Sequence, residues 1–485
     1  MYIMKHAAFL KNVAVISAGG IIAKAIGAFY RIALVGHLGG YGMGLYQMTY
    51  PLFCFLLTFS SAGIPSAFSR IVANETARGL HGRSTLKTTL LLFAAAGLGG
   101  AMLMCLFAPV MSAMQGDQNL LVCYFALAPS VFFVAIIAVL RGYFQGGSDM
   151  APTALSEVVE QLVKASLGLY FASRFAGSVR AVVYALGAVT VSEVVALVFL
   201  LVRLRREKRA APALFRVRKT KSTDILKSVL PVMIAAAILP LSQTADSILL
   251  VRLLPCERSR AVSLYGLFAG GAISLINLPA TVCYGLAAAT VPAVSARCAR
   301  GDEDGAKKSA LFSLAITLAL SFCCALGLFV LARFVVSLLY PSLGAEDART
   351  LVSLLRMLSV SAVTVSGIDT LAACLTGMGR AKKAALSMLI AVAAKTALQF
   401  ALVPLFSVTG AAIAANACYM IAFSLDLFYT VRKTKRKNHA DGNRTGNGKR
   451  RLDEEGACRV ETGGACVREK FVARIRRFER RRDRL

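Results

Sequence analysis

Ten ionisable residues sit where a charge is expensive. Lys24, Arg31, Glu157, Glu160, Lys164, Glu193, Asp246, Arg356, Asp369 and Lys395 all interrupt strongly apolar stretches. A charge at the centre of a membrane helix costs roughly 2.5–3.5 kcal/mol on insertion scales, so such residues face one another or a wet cavity rather than lipid. Glu157, Glu160 and Lys164 are three and four residues apart, which on a helix places them on one face. That face carries both signs of charge and therefore lines a cavity or pairs internally.

Each position also has a plainer reading. Lys24 and Arg31 can snorkel from helix ends. Glu160 with Lys164 can be a structural ion pair, and Asp246, near the outer end of its span, can be solvated; Asp369 is similarly open. Taken together, the set describes a central cavity of mixed but net basic character. Its best chemical match is an amphiphilic anion, a saccharide on a lipid pyrophosphate whose phosphate oxygens meet Lys and Arg.

Enzyme chemistry has little to build on. The four histidines (His6, His37, His81, His439) lie neither mid-span nor beside a carboxylate cluster, so neither an acid/base pair nor a metal site is expected. The 12 cysteines are scattered, mostly within apolar segments, and form neither a disulfide framework nor a zinc pattern. Gly442-Asn-Arg-Thr-Gly-Asn-Gly-Lys449 has phosphate-loop flavour, but it is one residue too long and lacks the Ser/Thr after Lys and the preceding strand. No cofactor is expected.

The elements that position these charges follow from composition. The 485 residues are 57% hydrophobic and 16% charged, with a mean hydropathy of +0.65. A soluble chain cannot hide that much apolar surface. Apolar windows fall near 12–34, 45–68, 88–112, 120–140, 152–172, 181–202, 226–251, 263–292, 309–332, 351–376, 384–404 and 409–430. Each is long enough to span the hydrocarbon core. The expected fold is an all-α polytopic membrane protein of about twelve transmembrane helices, and Lys5, Lys11 and the run after them are read as the first helix rather than a signal peptide.

With the amino terminus inside, inner loops carry about 24 Lys/Arg and outer loops about 8. The positive-inside rule then puts both termini in the cytoplasm. The richest stretch, 203–227, divides the chain into an N-lobe (1–205), a basic linker (206–225) and a C-lobe (226–431), leaving a tail (432–485) with 19 Lys/Arg against 8 Asp/Glu. That tail reads as disordered and headgroup-binding. The net charge of +30 thus points to anionic lipids, not nucleic acid. The halves are weakly alike: Leu155-Ser156…Lys164 matches Leu386-Ser387…Lys395 in spacing, as in the parallel repeats of secondary transporters.

Several motifs carry a resemblance. Gly44-Leu-Tyr-Gln-Met-Thr-Tyr-Pro51, Ser61-Ala-Gly-Ile-Pro65, Arg141-Gly-Tyr-Phe-Gln-Gly146 with Pro152-Thr-Ala154 and Glu160-Gln161, and Asn277-Leu-Pro279 with Val291-Pro-Ala293 resemble the stage V sporulation protein B group. That group lies in the polysaccharide-transporter branch of the multidrug/oligosaccharidyl-lipid/polysaccharide exporter superfamily. The resemblance implies a flippase with two six-helix lobes in a V-shaped, alternating-access bundle that moves lipid-linked sugars, peptidoglycan precursors among them. It implies a link to spore cortex formation and to cell-wall synthesis proteins. It also implies that Lys24 matches a cavity-lining basic residue of span one, with Arg31 near a second such position. Many relatives have fourteen spans, against about twelve here. Two other readings are an ion-coupled multidrug exporter, which would want an acidic, aromatic pocket, and a non-transporting scaffold for wall or cortex synthesis.

Overall fold

The computed structural model describes residues 2–61, 64–77, 83–210, 222–300 and 302–432. The tail and the centre of the basic linker lie outside the described residues. Residues 1–432 form one compact unit.

Helix is the only regular structure among the described residues, as expected where no water is available to satisfy backbone groups. The first half comprises α1 (Tyr2–Ser61), α2 (Ile64–Ala77), α3 (Arg83–Gln115), α4 (Asn119–Gly146), α5 (Ala151–Arg174) and α6 (Val179–Ala210). The second begins with α7 (Ser222–Leu253) and α8 (Arg258–Tyr265). A seven-residue π-helical segment (Gly266–Ala272) then leads through α9 (Ile273–Ile276) into α10 (Leu278–Ala299). α11 (Glu303–Val330), the short α12 (Ala332–Leu339), α13 (Ala345–Gly377) and α14 (Ala381–Val431) complete it. The helices α6 and α7 reach further into the basic linker than its 206–225 boundaries suggested.

Eight of these helices, or runs of helix, are long and apolar enough to cross a membrane. Two of them are hairpins. α1 breaks at Gly39, whose φ of 69° is open to glycine and closed to most side chains. Beyond it the chain turns back, so the Arg31 guanidinium lies 5.5 Å from the centre of the Tyr50 ring, 19 residues later. α14 breaks at Ser407 in the same manner, and a side chain on Gly410 would overlap the carbonyl of Leu402. Large apolar side chains on the outer faces, such as Leu91, Leu106, Phe312 and Leu405, remain exposed. In a membrane that surface belongs to lipid.

The core is continuous at one end of the bundle and breaks into smaller clusters toward the other, where Met233 of α7 packs with residues of the first half. At the end bearing the short turns 116–118, 254–257 and 340–344, one cluster joins both halves through Leu34, Val35, Met43, Tyr46, Leu250, Val262, Phe268 and Leu351. Glycines permit the contact: a side chain on Gly266 would overlap Gly40 O, and one on Gly44 would overlap Val262 O. Toward the linker end, Ile64, Phe68, Phe93, Leu140 and Leu204 make one cluster, while Val294, Ala306, Ala310 and Cys374 make another. A cavity lies where the joined core ends.

Candidate functional site

The main cavity has a volume of about 610 Å³ and draws its walls from α1, α4, α5 and the α9–α10 junction. Tyr30 and Tyr46, both buried in the joined core, close it on one side. On α1, Lys24, Gly27 and Arg31 recur at helical spacing and face inward. On α5, Glu157, Gln161 and Lys164 do the same.

Arg141 near the end of α4 organises the acidic side of this wall. Its Nη2 donates to Glu160 Oε2 at 2.8 Å and its Nε to Ser156 Oγ at 3.0 Å. Its Nη1 stands 4.0 Å from Glu157 Oε1. Ser156 Oγ in turn donates to Thr153 O at 2.8 Å, which aims its lone pairs at the guanidinium. Glu160 Oε1 accepts from Gln161 Nε2 at 3.0 Å. Both members of the Arg141–Glu160 pair are nearly withdrawn from solvent, at 15% and 14% side-chain exposure.

This arrangement changes the expected pairing. Glu160 is bound to Arg141 and not to Lys164, whose ammonium instead sits 6.0 Å from the Tyr30 ring centre. Arg31 likewise rests over Tyr50. Cation–π contacts hold a charge in place without neutralising it. Lys24 feels the opposite charges of Asp369 and Glu157. Four cations (Lys24, Arg31, Arg141, Lys164) and one carboxylate (Glu157) therefore line the cavity.

A smaller cavity of about 230 Å³ adjoins it, sharing Arg31, Tyr50, Ser274 and Asn277. Here Asp246 of α7 and Lys395 of α14 form an ion pair, each about 15% exposed. Asp246 is thus a partnered, half-buried group rather than a solvated one. Gln47, Gln243, Gln399 and Tyr419 supply further polar surface.

Not every expected residue joins this centre. Asp369 is exposed on α13 and contributes no wall to either cavity, yet its charge acts on Lys24 of the main one. Arg356 lies nearer the other end of α13, in a separate groove with Arg333 and Arg349. Glu193 is buried at 6% exposure, with Oε2 lacking a partner among the described residues, and lines neither cavity. Conversely, the sequence reading passed over Arg141, Tyr50 and Asn277. Arg141 falls one residue past the apolar window 120–140, so hydropathy does not mark it as a charge within a span. The signal lay in the Arg-Gly-Tyr-Phe-Gln-Gly block, whose arginine faces Glu160 on the next helix. No group of three or more potential metal ligands occurs among the described residues.

Residues 9–297 match the model of the polysaccharide biosynthesis protein family. The chain belongs to that family. It is 29% identical over 432 residues to stage V sporulation protein B of Bacillus subtilis (strain 168), covering 85% of this chain and 81% of the relative. It is also 29% identical over 166 residues to the lipid II flippase of the same organism, covering 32% of this chain and 30% of that one. The fold is that of a multidrug resistance MATE family transporter of the MOP superfamily solved in an inward-facing conformation, with a TM-score of 0.68, 17% identity, and coverage of 84% of this chain and 93% of the other. Family and fold together establish a multi-pass membrane protein that shares its fold with a transporter.

Proposed function

We propose that the chain is a flippase of the bacterial plasma membrane, carrying a pyrophosphate-linked polyprenyl saccharide from the cytoplasmic to the outer leaflet by alternating access. The observation that supports this most directly is the net basic lining of the main cavity, where Lys24, Arg31 and Lys164 stand with the single carboxylate Glu157 and Arg141 is matched by Glu160. A cavity wall of net basic character favours an anion with several oxygens, which guanidinium and ammonium groups meet through charge-assisted hydrogen bonds. The similarity to a lipid II flippase and to stage V sporulation protein B agrees with such a substrate.

On this reading the hairpins in α1 and α14 raise the eight membrane-length helices to ten passes, and α5 and α7, each crossing once, bring the count to twelve. The 203–227 stretch and both termini face the cytoplasm, and the N- and C-lobes swing about the joined core. The larger joined core lies at the end we assign to the exterior, and the main cavity lies on its cytoplasmic side. The drug-exporter reading is less well supported, because the one carboxylate lining the aromatic smaller cavity is neutralised by Lys395.

The test is a headgroup-accessibility assay in vesicles holding the full chain and a lipid-linked disaccharide pyrophosphate. Wild-type protein is expected to expose the headgroup, while Arg31→Ala and Lys164→Ala lose most of that activity. Full activity in both variants rejects the site. Absence of flipping by the wild type, with drug-stimulated proton or sodium exchange in its place, rejects the function.

A further inference from the structure

The groove that holds Arg356 is well separated from the transport cavity and has a chemistry of its own. It lies between α12 and the first half of α13, with a volume of about 660 Å³. Arg349, Ser353 and Arg356 recur at helical spacing along its α13 wall, and Arg333 enters from α12. No carboxylate lines it. The neighbouring Glu346 and Asp347 are both engaged by Arg260. The Nε of Arg356 is buried and has no hydrogen-bond partner among the described residues. Three guanidinium groups thus line one groove without a counter-charge among the described residues, one of them with a buried donor that finds no acceptor there.

The surroundings identify the occupant. α12 buries Ala332 and Val336 and leaves Phe334 and Leu338 exposed, with Phe329, Val330 and Leu331 exposed just before it. An apolar rim beside a basic groove, at the end of two membrane helices, is the setting of a short helix lying in the interface. Arg356 is 11 residues from the start of α13, about 16 Å into the helix at the α-helical rise. The groove therefore runs from headgroup level inward along an apolar wall.

We infer that this groove binds the phosphate of an anionic membrane lipid. Arg333, Arg349 and Arg356 donate to the phosphate oxygens, and the acyl chains lie along Phe334 and Leu338. Guanidinium forks match phosphate geometry better than ammonium groups do. With the orientation proposed above the lipid belongs to the outer leaflet; the preference for an anionic headgroup is independent of that orientation. Held there, the lipid would brace α12 and α13 beside the joined core.

Native mass spectrometry of the gently extracted full chain, titrated with phosphatidylglycerol or phosphatidylcholine, tests this. Wild-type protein is expected to retain phosphatidylglycerol at least about fivefold over phosphatidylcholine. R349Q/R356Q should abolish the preference, R349K/R356K should keep part of it, and K24Q in the main cavity should leave it unchanged. Millimolar inorganic phosphate should displace little of the lipid. Equal retention of the two lipids by the wild type overturns the proposal without reliance on any variant. So does undiminished preference in R349Q/R356Q, loss of preference in K24Q, or full displacement by free phosphate.

Discussion

Replacing Arg141 with alanine probes the feature on which the cavity's charge depends. The guanidinium contacts Ser156 at 3.0 Å, Glu160 at 2.8 Å and Glu157 at 4.0 Å. Removing one partner of a withdrawn ion pair costs about 3–5 kcal/mol, chiefly because the other charge is left uncompensated. With some 15% of each side chain still exposed, the lower end of that range, about 3 kcal/mol, is the expected loss of stability. Glu160 then has a new neighbour within reach, Lys164, one helical turn away. If the two pair, the cavity loses Arg141 outright and Lys164 in effect. A charge-assisted hydrogen bond to phosphate contributes about 1.5–3 kcal/mol, and tenfold in affinity corresponds to 1.4 kcal/mol. Loss of two such contacts predicts headgroup binding weaker by a factor of about 100 or more. Arg141→Ala with Glu160→Ala frees Lys164 again, so the double variant should bind at least about tenfold better than Arg141→Ala alone. Binding of a water-soluble pyrophosphate-sugar analogue by titration calorimetry, with reversible unfolding in detergent alongside, reads both quantities. A double variant no better than the single one refutes this account of Glu160.

Three further outcomes follow from contacts between or within the halves. Gln115 Nε2 donates to Met48 O at 3.0 Å and to Ser247 Oγ at 2.9 Å, while its Oε1 accepts from Tyr124; Gln115→Leu should weaken closure at that end by about 1–3 kcal/mol, visible as a larger outward-open fraction in spin-label distance measurements across the 116–118 and 254–257 turns. Asp246→Asn should impair stability more than the paired Asp246→Asn/Lys395→Gln change, because only the single variant strands a charge; thermal unfolding of the three proteins settles the order. Gly266→Ala should destabilise more than a surface substitution, by about 1–3 kcal/mol, since its methyl group meets the backbone of Gly40; an unchanged melting temperature would show that the halves do not pack as closely as described.

Much of this was legible one segment at a time. The apolar runs specified helices, and the 3.6-residue period placed Glu157, Glu160 and Lys164 on one face of α5 before any partner was known. Gly39 was harder to read, because one glycine in a Gly-Gly pair does not announce a reversal. Ser407 carries no turn signal of its own. Arg356 was grouped with the central residues because an intramembrane charge advertises its cost but not its direction.

The sequence by itself determined the class of the molecule and the positions along the chain where charge enters the membrane. Hydropathy sums over neighbours in the chain, and those neighbours are given. Only the tertiary structure decided which charges cancel. Asp246 meets Lys395 across 149 positions, and Glu160 takes Arg141 from another helix in preference to Lys164 on its own. Coulomb energies depend on separation in space, which packing sets: glycines that let α1 touch the π-helical segment, and a hairpin at Gly39 that lays Arg31 over Tyr50. The cationic character of the cavity belongs to that packing and to no single segment.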